Sequence, residues 1–148
     1  MSTLVANIKE AVKAAMRAKE KERLNALRLI TSEFKRVEVD ERIEIDDARA
    51  LAILDKMLKQ RRDSVAQYEA AGRDDLAAVE HFEMSVITEY MPEALSEEEL
   101  AKLVADAIAQ SGAASMQDMG KVMGILKPQV QGRADMAQIS QQVKSQLS

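Results

Sequence analysis

Cysteine is absent from the 148 residues, which excludes a disulfide scaffold, a thiolate nucleophile and every cysteine-based metal site. A single histidine removes histidine-cluster zinc sites and leaves little material for a catalytic triad. Five glycines and two prolines are too few for a β-sandwich or barrel, which needs a chain break every ~8–12 residues. No run approaches the ~20 apolar residues that cross a bilayer as a helix. Residues 1–7 lack the basic start and apolar core of a signal peptide, so a cytoplasmic location away from membranes is expected.

What remains is a helical composition. Hydrophobic residues make up 47% and charged residues 31%, enough to bury a core and stay in solution. A formal charge of −4 means that nucleic acid would need a local basic patch rather than the surface as a whole.

Apolar residues recur at spacings of three and four along most of the chain. Leu4, Ile8, Ala11, Val12 and Ala15 mark a first helix over 3–18, with Lys9, Lys13 and Arg17 in a row beside them. Leu24, Leu27, Ile30, Phe34 and Val37 mark a second over 20–39. Asp46 is placed to cap a third over 47–71, and a fourth spans 74–91 before Pro92, which cannot continue a helix interior. The third and fourth stripes each carry one charge, Arg61 and Glu83. Folding them back about Gly72 opposes residues whose numbers sum to 144: Val65 with Val79, Arg61 with Glu83, Leu58 with Val86. An antiparallel hairpin with an Arg61–Glu83 pair in its seam follows. Beyond Pro92, Ser96 with Glu99 forms a capping box flanked by the staple residues Leu95 and Leu100. That helix closes at Gly112. Ser115 with Asp118 suggests another box-like start, with the helix ending near Lys127-Pro128, and Asp135 opens a last helix with Met136, Ile139, Val143 and Leu147 on its apolar side. The expected fold is all-α: an antiparallel four-helix half over 1–92 and a three-helix unit over 96–148.

Charge is uneven along this framework. Residues 1–28 hold seven Lys/Arg against three Asp/Glu, and residues 107–148 hold Lys121, Lys127, Arg133 and Lys144 against Asp118 and Asp135. Gly120 and Gly124 fall on one helix face and cost about 1 kcal/mol each relative to alanine, which suggests close approach of a neighbouring helix or a ligand. Gly132 marks the turn that carries Arg133 toward a helix N-terminus. His81 holds no stripe position and is expected at the surface. Met57, Met84, Met91, Met119 and Met123 are expected to fill the core. No pair of carboxylates stands out for acid–base work, so no catalytic residue, metal or other cofactor is expected.

Lys59-Gln60-Arg61-Arg62-Asp63-Ser64, Tyr90-Met91-Pro92, Asp118-Met119-Gly120-Lys121-Val122-Met123-Gly124 and Gly132-Arg133-Ala134-Asp135, in this order, resemble the YqeY family over nearly the whole chain. That family is similar to the tail of GatB, the B subunit of tRNA-dependent amidotransferases. In those carbon–nitrogen ligases the tail helps to hold tRNA, and amide transfer from glutamine occurs elsewhere. The resemblance makes Lys121, Lys127, Arg133 and Lys144 candidate RNA contacts on a surface shaped by Gly120, Gly124 and Gly132. It implies a module that is not catalytic by itself and whose partner is tRNA or a tRNA-modifying or aminoacylation enzyme. A protein-interaction or oligomerisation module acting through exposed apolar helix faces is the alternative.

Overall fold

The computed structural model describes residues 2–147, and those residues form seven α-helices and no strand. The chain divides into two compact units, one up to Met91 and one from Pro92.

The first unit contains α1 (Thr3–Ala18), α2 (Lys21–Glu41), α3 (Asp47–Ala70) and α4 (Asp74–Thr88). Their stripes meet in a core in which Ile8, Leu27, Ile30, Ala50 and Leu54 are fully buried. The starts of α1 and α3 are tied together. Ser2 Oγ accepts from Val5 N at 3.1 Å as the cap of α1 and donates to Asp47 Oδ1. Asp47 also accepts from Leu4 N at 3.1 Å, and these bonds, the Ser2 hydroxyl foremost, hold its carboxyl below the usual range. One carboxylate thus serves two helix N-termini, where free N–H groups favour negative charge. Asp46 caps α3 as expected, accepting from Arg49 N at 2.8 Å.

The hairpin seam carries the expected pair: Arg61 Nε donates to Glu83 Oε2 at 2.9 Å. The expectation for Val79 fails. It is 55% exposed, whereas Ala77 is 3% exposed and Glu80 approaches Arg61 at 4.0 Å. The stripe of α4 drifts, so its buried arc passes through Ala77, Glu80, Glu83 and Ile87. Val79 turns toward α2, where Asn25 and Ala26 are too short to cover it. Helix α4 also stops at Thr88 rather than Met91. Glu89, Tyr90 and Met91 donate to carbonyls three residues back, because Pro92 pushes the residue before it out of helical backbone.

The second unit contains α5 (Glu97–Ser111), a single 3₁₀ turn (Met116–Asp118), α6 (Met119–Val130) and α7 (Met136–Leu147). Val104, Val122, Leu126 and Val143 are its fully buried centre. The Ser96–Glu99 capping box forms in both directions, and Gly112 closes α5 at φ +71°, a left-handed value that a side chain would resist.

Three expectations are corrected in this unit. Ser115 makes no side-chain cap; Asp118 instead accepts from Ala114 N at 3.0 Å and closes the 3₁₀ turn from its far end. Helix α6 runs through Pro128 to Val130. Proline in the last turn forfeits one bond to the Gly124 carbonyl, but continuing buries Val130 to 2% exposure. Met136 at the start of α7 is 37% exposed, so Ile139 and Val143 carry the apolar side.

Candidate nucleic-acid interface

Helix α6 separates its residues cleanly by face. Val122, Leu126 and Val130 turn inward, whereas Gly120, Lys121, Gly124, Lys127 and Pro128 are all exposed. At ~100° per residue, positions 120, 124 and 127 lie in one row, with 121 and 128 beside it. A Cβ added at Gly120 or Gly124 would meet nothing within 4 Å. The close approach expected from a neighbouring helix of this chain is therefore not there; the glycines leave bare backbone facing outward between two lysines.

Lys121 is 71% exposed, and its nearest acid, Asp118, lies at 3.9 Å. Asp118 is occupied in the 3₁₀ turn: the Ala114 N–H, more than Lys121, holds its carboxyl below the ordinary range. Lys127 on α6 and Lys144 on α7 are exposed, and neither has an ion-pair partner among the described residues. The acids at the start of this unit, Glu97, Glu98 and Glu99, gather in the first turn of α5.

Arg133 is of a different kind. It lies in the turn between α6 and α7, where Gly132 takes φ +72°. Its Nε donates to the Glu93 carbonyl at 3.1 Å, and its own carbonyl accepts from Leu95 N at 2.8 Å. Arg133 thus clamps residues 93–95 in place. Sequence patterning could not reveal this, because the partners are backbone groups that any residue carries. The four expected cations are therefore two unpaired lysines, Lys127 and Lys144, an exposed Lys121 beside Asp118, and one half-buried structural arginine.

In the first unit some cations are paired, whereas Lys9, Arg17, Lys19 and Lys21 are exposed and form no ion pair among the described residues. Arg23 meets Glu89 at 2.6 Å, Lys13 meets Glu10 at 3.2 Å, and Arg36 and Arg49 pair with Glu33 and Glu41. Arg61 is enclosed between Glu80 and Glu83, with side chains 13%, 21% and 18% exposed. Burial pushes the Glu80 carboxyl above its usual range, Glu83 adds to this, and Arg61 opposes it. This is an arrangement for fixing helix register rather than for moving protons. His81 stands at the surface, its Nε2 3.5 Å from Glu69. No helix among the described residues is long and apolar enough to cross a membrane.

The chain is similar to the protein named "Altered inheritance of mitochondria protein 41, mitochondrial" in several yeasts. It is 37% identical over 102 residues to that of Eremothecium gossypii, covering 66% of this chain and 56% of the relative. It is 30% identical over 126 residues to that of Saccharomyces cerevisiae strain YJM789, covering 81% and 68%. The chain thus spans little more than half the length of the Eremothecium protein. The family model described as "Yqey-like protein" matches residues 5–147, and the chain belongs to the YqeY family.

Proposed function

We propose that this chain is a non-catalytic RNA-binding module, with tRNA as its substrate class, that works beside tRNA-dependent amidotransferase or aminoacylation machinery. The outer face of α6 carries the reading: two exposed lysines beside glycines whose backbone a phosphate strand can approach without meeting side chains. Lysines of this kind bind phosphates by releasing counterions, which makes affinity depend steeply on salt. The resemblance of the Gly-Lys-Val-Met and Gly-Arg-Ala-Asp elements to the GatB tail supports the choice of tRNA.

The test is fluorescence anisotropy of labelled tRNA across a salt series. Changing Lys121 and Lys127 to alanine, with Arg133 left intact as a structural clamp, lowers affinity and flattens the log–log salt slope by about 1.5. Unchanged binding in that variant would refute the reading.

A second reading rests on the first unit. Val79 and Phe82 are 55% and 36% exposed and, with Ala26 and Ala78, line a 320 Å³ groove between α2 and α4. Contiguous exposed apolar surface favours a protein partner. Self-association that is insensitive to salt and abolished by Phe82→Ser would favour this alternative.

A further inference from the structure

A cavity of 220 Å³ opens between the start of α5 and the outer face of α7. We propose that it receives one unpaired nucleobase bearing an exocyclic amine, and so not uracil, at the 3′ end of an RNA strand; this deepens the RNA-binding reading and rests on it.

Size and lining narrow the occupant. The cavity lies below the ~300–1,000 Å³ of pockets for drug-sized ligands, so it suits one flat ring system rather than a whole nucleotide. No Lys or Arg lines it, so it offers nothing to a phosphate or carboxylate. Leu95 and Leu100 give an apolar wall, and Gln138, Gln141 and Gln142 bring carboxamides from one face of α7. An apolar surface beside amide donors and acceptors matches the face and edge of a base.

The amides are available and partly oriented. The side-chain amides of Gln138 and Gln141 make no hydrogen bond within the described chain. Gln142 Oε1 accepts from Gln146 Nε2 at 3.2 Å, and Gln146 Nε2 also donates to the Ala101 carbonyl of α5 at 3.0 Å. That brace leaves the Gln142 N–H₂ group for a ligand. The Leu95 wall is held by the Arg133 clamp. A glutamine amide can accept from the adenine N6 amine and donate to N7.

Glu97 sets the selectivity. An ionised carboxylate only accepts hydrogen bonds, so it favours the exocyclic amines of adenine, cytosine and guanine and repels the O4 of uracil. The run Glu97–Glu99 also repels a following phosphate. The site therefore favours a terminal residue, whose ribose ends in a free hydroxyl.

The experiment titrates ¹⁵N-labelled protein with adenosine, cytidine and uridine while following the side-chain amide resonances of the pocket glutamines. Adenosine and cytidine shift Gln138 and Gln141, uridine does not, and Glu97→Gln removes the distinction. In anisotropy, oligouridine ending in a 3′ adenosine binds about tenfold tighter than oligouridine alone, and a 3′-phosphorylated adenosine end loses that gain. The Gln138→Ala/Gln141→Ala variant abolishes the tenfold difference but keeps the oligouridine affinity and its salt dependence. Both positions are exposed on a helix, where alanine is favourable, and circular dichroism confirms folding. Oligonucleotides that bind with salt dependence but regardless of their end would overturn the base pocket and leave the RNA-binding reading standing. Nucleoside shifts with no oligonucleotide binding at low salt would overturn the RNA reading and the strand-end proposal with it, leaving a site for free nucleosides.

Discussion

The two units hold their helices together by different means. In the first, ion pairs tie elements across the core margin: Arg61 to Glu83 between α3 and α4, Arg23 to Glu89 between α2 and the end of α4. In the second, ties beyond the apolar core run through backbone groups, as where Arg133 clamps residues 93–95 and Gln146 reaches Ala101. The consequence concerns which cations remain free. The first 28 residues hold the larger local excess of Lys and Arg; Lys13 and Arg23 are paired with acids within the unit, whereas Lys9, Arg17, Lys19 and Lys21 are exposed and form no ion pair among the described residues. The second unit has fewer, and among them Lys127 and Lys144 face outward without an ion pair while Lys121 meets Asp118 at 3.9 Å. Unpaired cations therefore occur in both units, and what sets the α6 lysines apart is the open backbone at Gly120 and Gly124 beside them.

Substitutions can break that contrast. Leu126 is fully buried at the centre of a small core, and Leu126→Ala lowers stability by about 3 kcal/mol in urea unfolding. Glu83→Ala strands Arg61 with Glu80 at 4.0 Å and costs about 2 kcal/mol, whereas replacing both Arg61 and Glu83 by leucine or methionine stays near the parent stability. An equal loss in the double variant would show that the pair contributes net stability rather than register. Gly124→Ala acts in the opposite direction. With open space around the added Cβ, it stabilises α6 by about 1 kcal/mol while weakening tRNA binding if a phosphate strand approaches that backbone. Equal tRNA affinity would remove the glycines from the interface.

These contrasts also show what the sequence makes legible. Helix α1 and the Arg61–Glu83 register follow from periodicity and from opposing charges in two apolar stripes, because both depend on side chains that the sequence names. Val79 departs from its expected place because a stripe on a straight helix drifts around its axis, so one contact fixes the register but not the full buried arc. The fate of Gly120 and Gly124 depended on whether another helix lies over them, a tertiary fact without a local signal. The Arg133 clamp was hidden because its partners are carbonyl and amide groups. The glutamine-lined cavity did have a signal, the run of glutamines from 138 to 146, but its meaning depends on α5 lying opposite. Two left-handed residues were invisible for a related reason. Lys19 and Arg42 take φ of 58° and 55° where no glycine marks a break, and Lys19→Gly should raise stability by up to ~1 kcal/mol by relieving that conformation.

The smallest expected effect sets one carboxylate from each unit against the other in acid. Glu99 accepts from the Ser96 N–H, and this bond more than any other holds its carboxyl below the usual value. Its contribution is fully present above the unfolded carboxylate's pKa of ~4.3 and is lost as pH falls through the lowered folded value. Glu80 has the opposite sign. Burial raises its folded value, so the folded state is penalised once pH rises above that value and is relieved as pH falls toward the unfolded pKa. Glu99→Gln keeps a side chain that can close the capping box, so the urea midpoint at neutral pH changes little while its decline in acid becomes shallower. Glu80→Gln removes the ionisation penalty and raises the midpoint at neutral pH relative to acid. Midpoints measured from pH 3 to pH 7 in both variants check the two signs. If the two profiles bent the same way, the half-buried seam of the first unit would be solvated as freely as the exposed cap of the second.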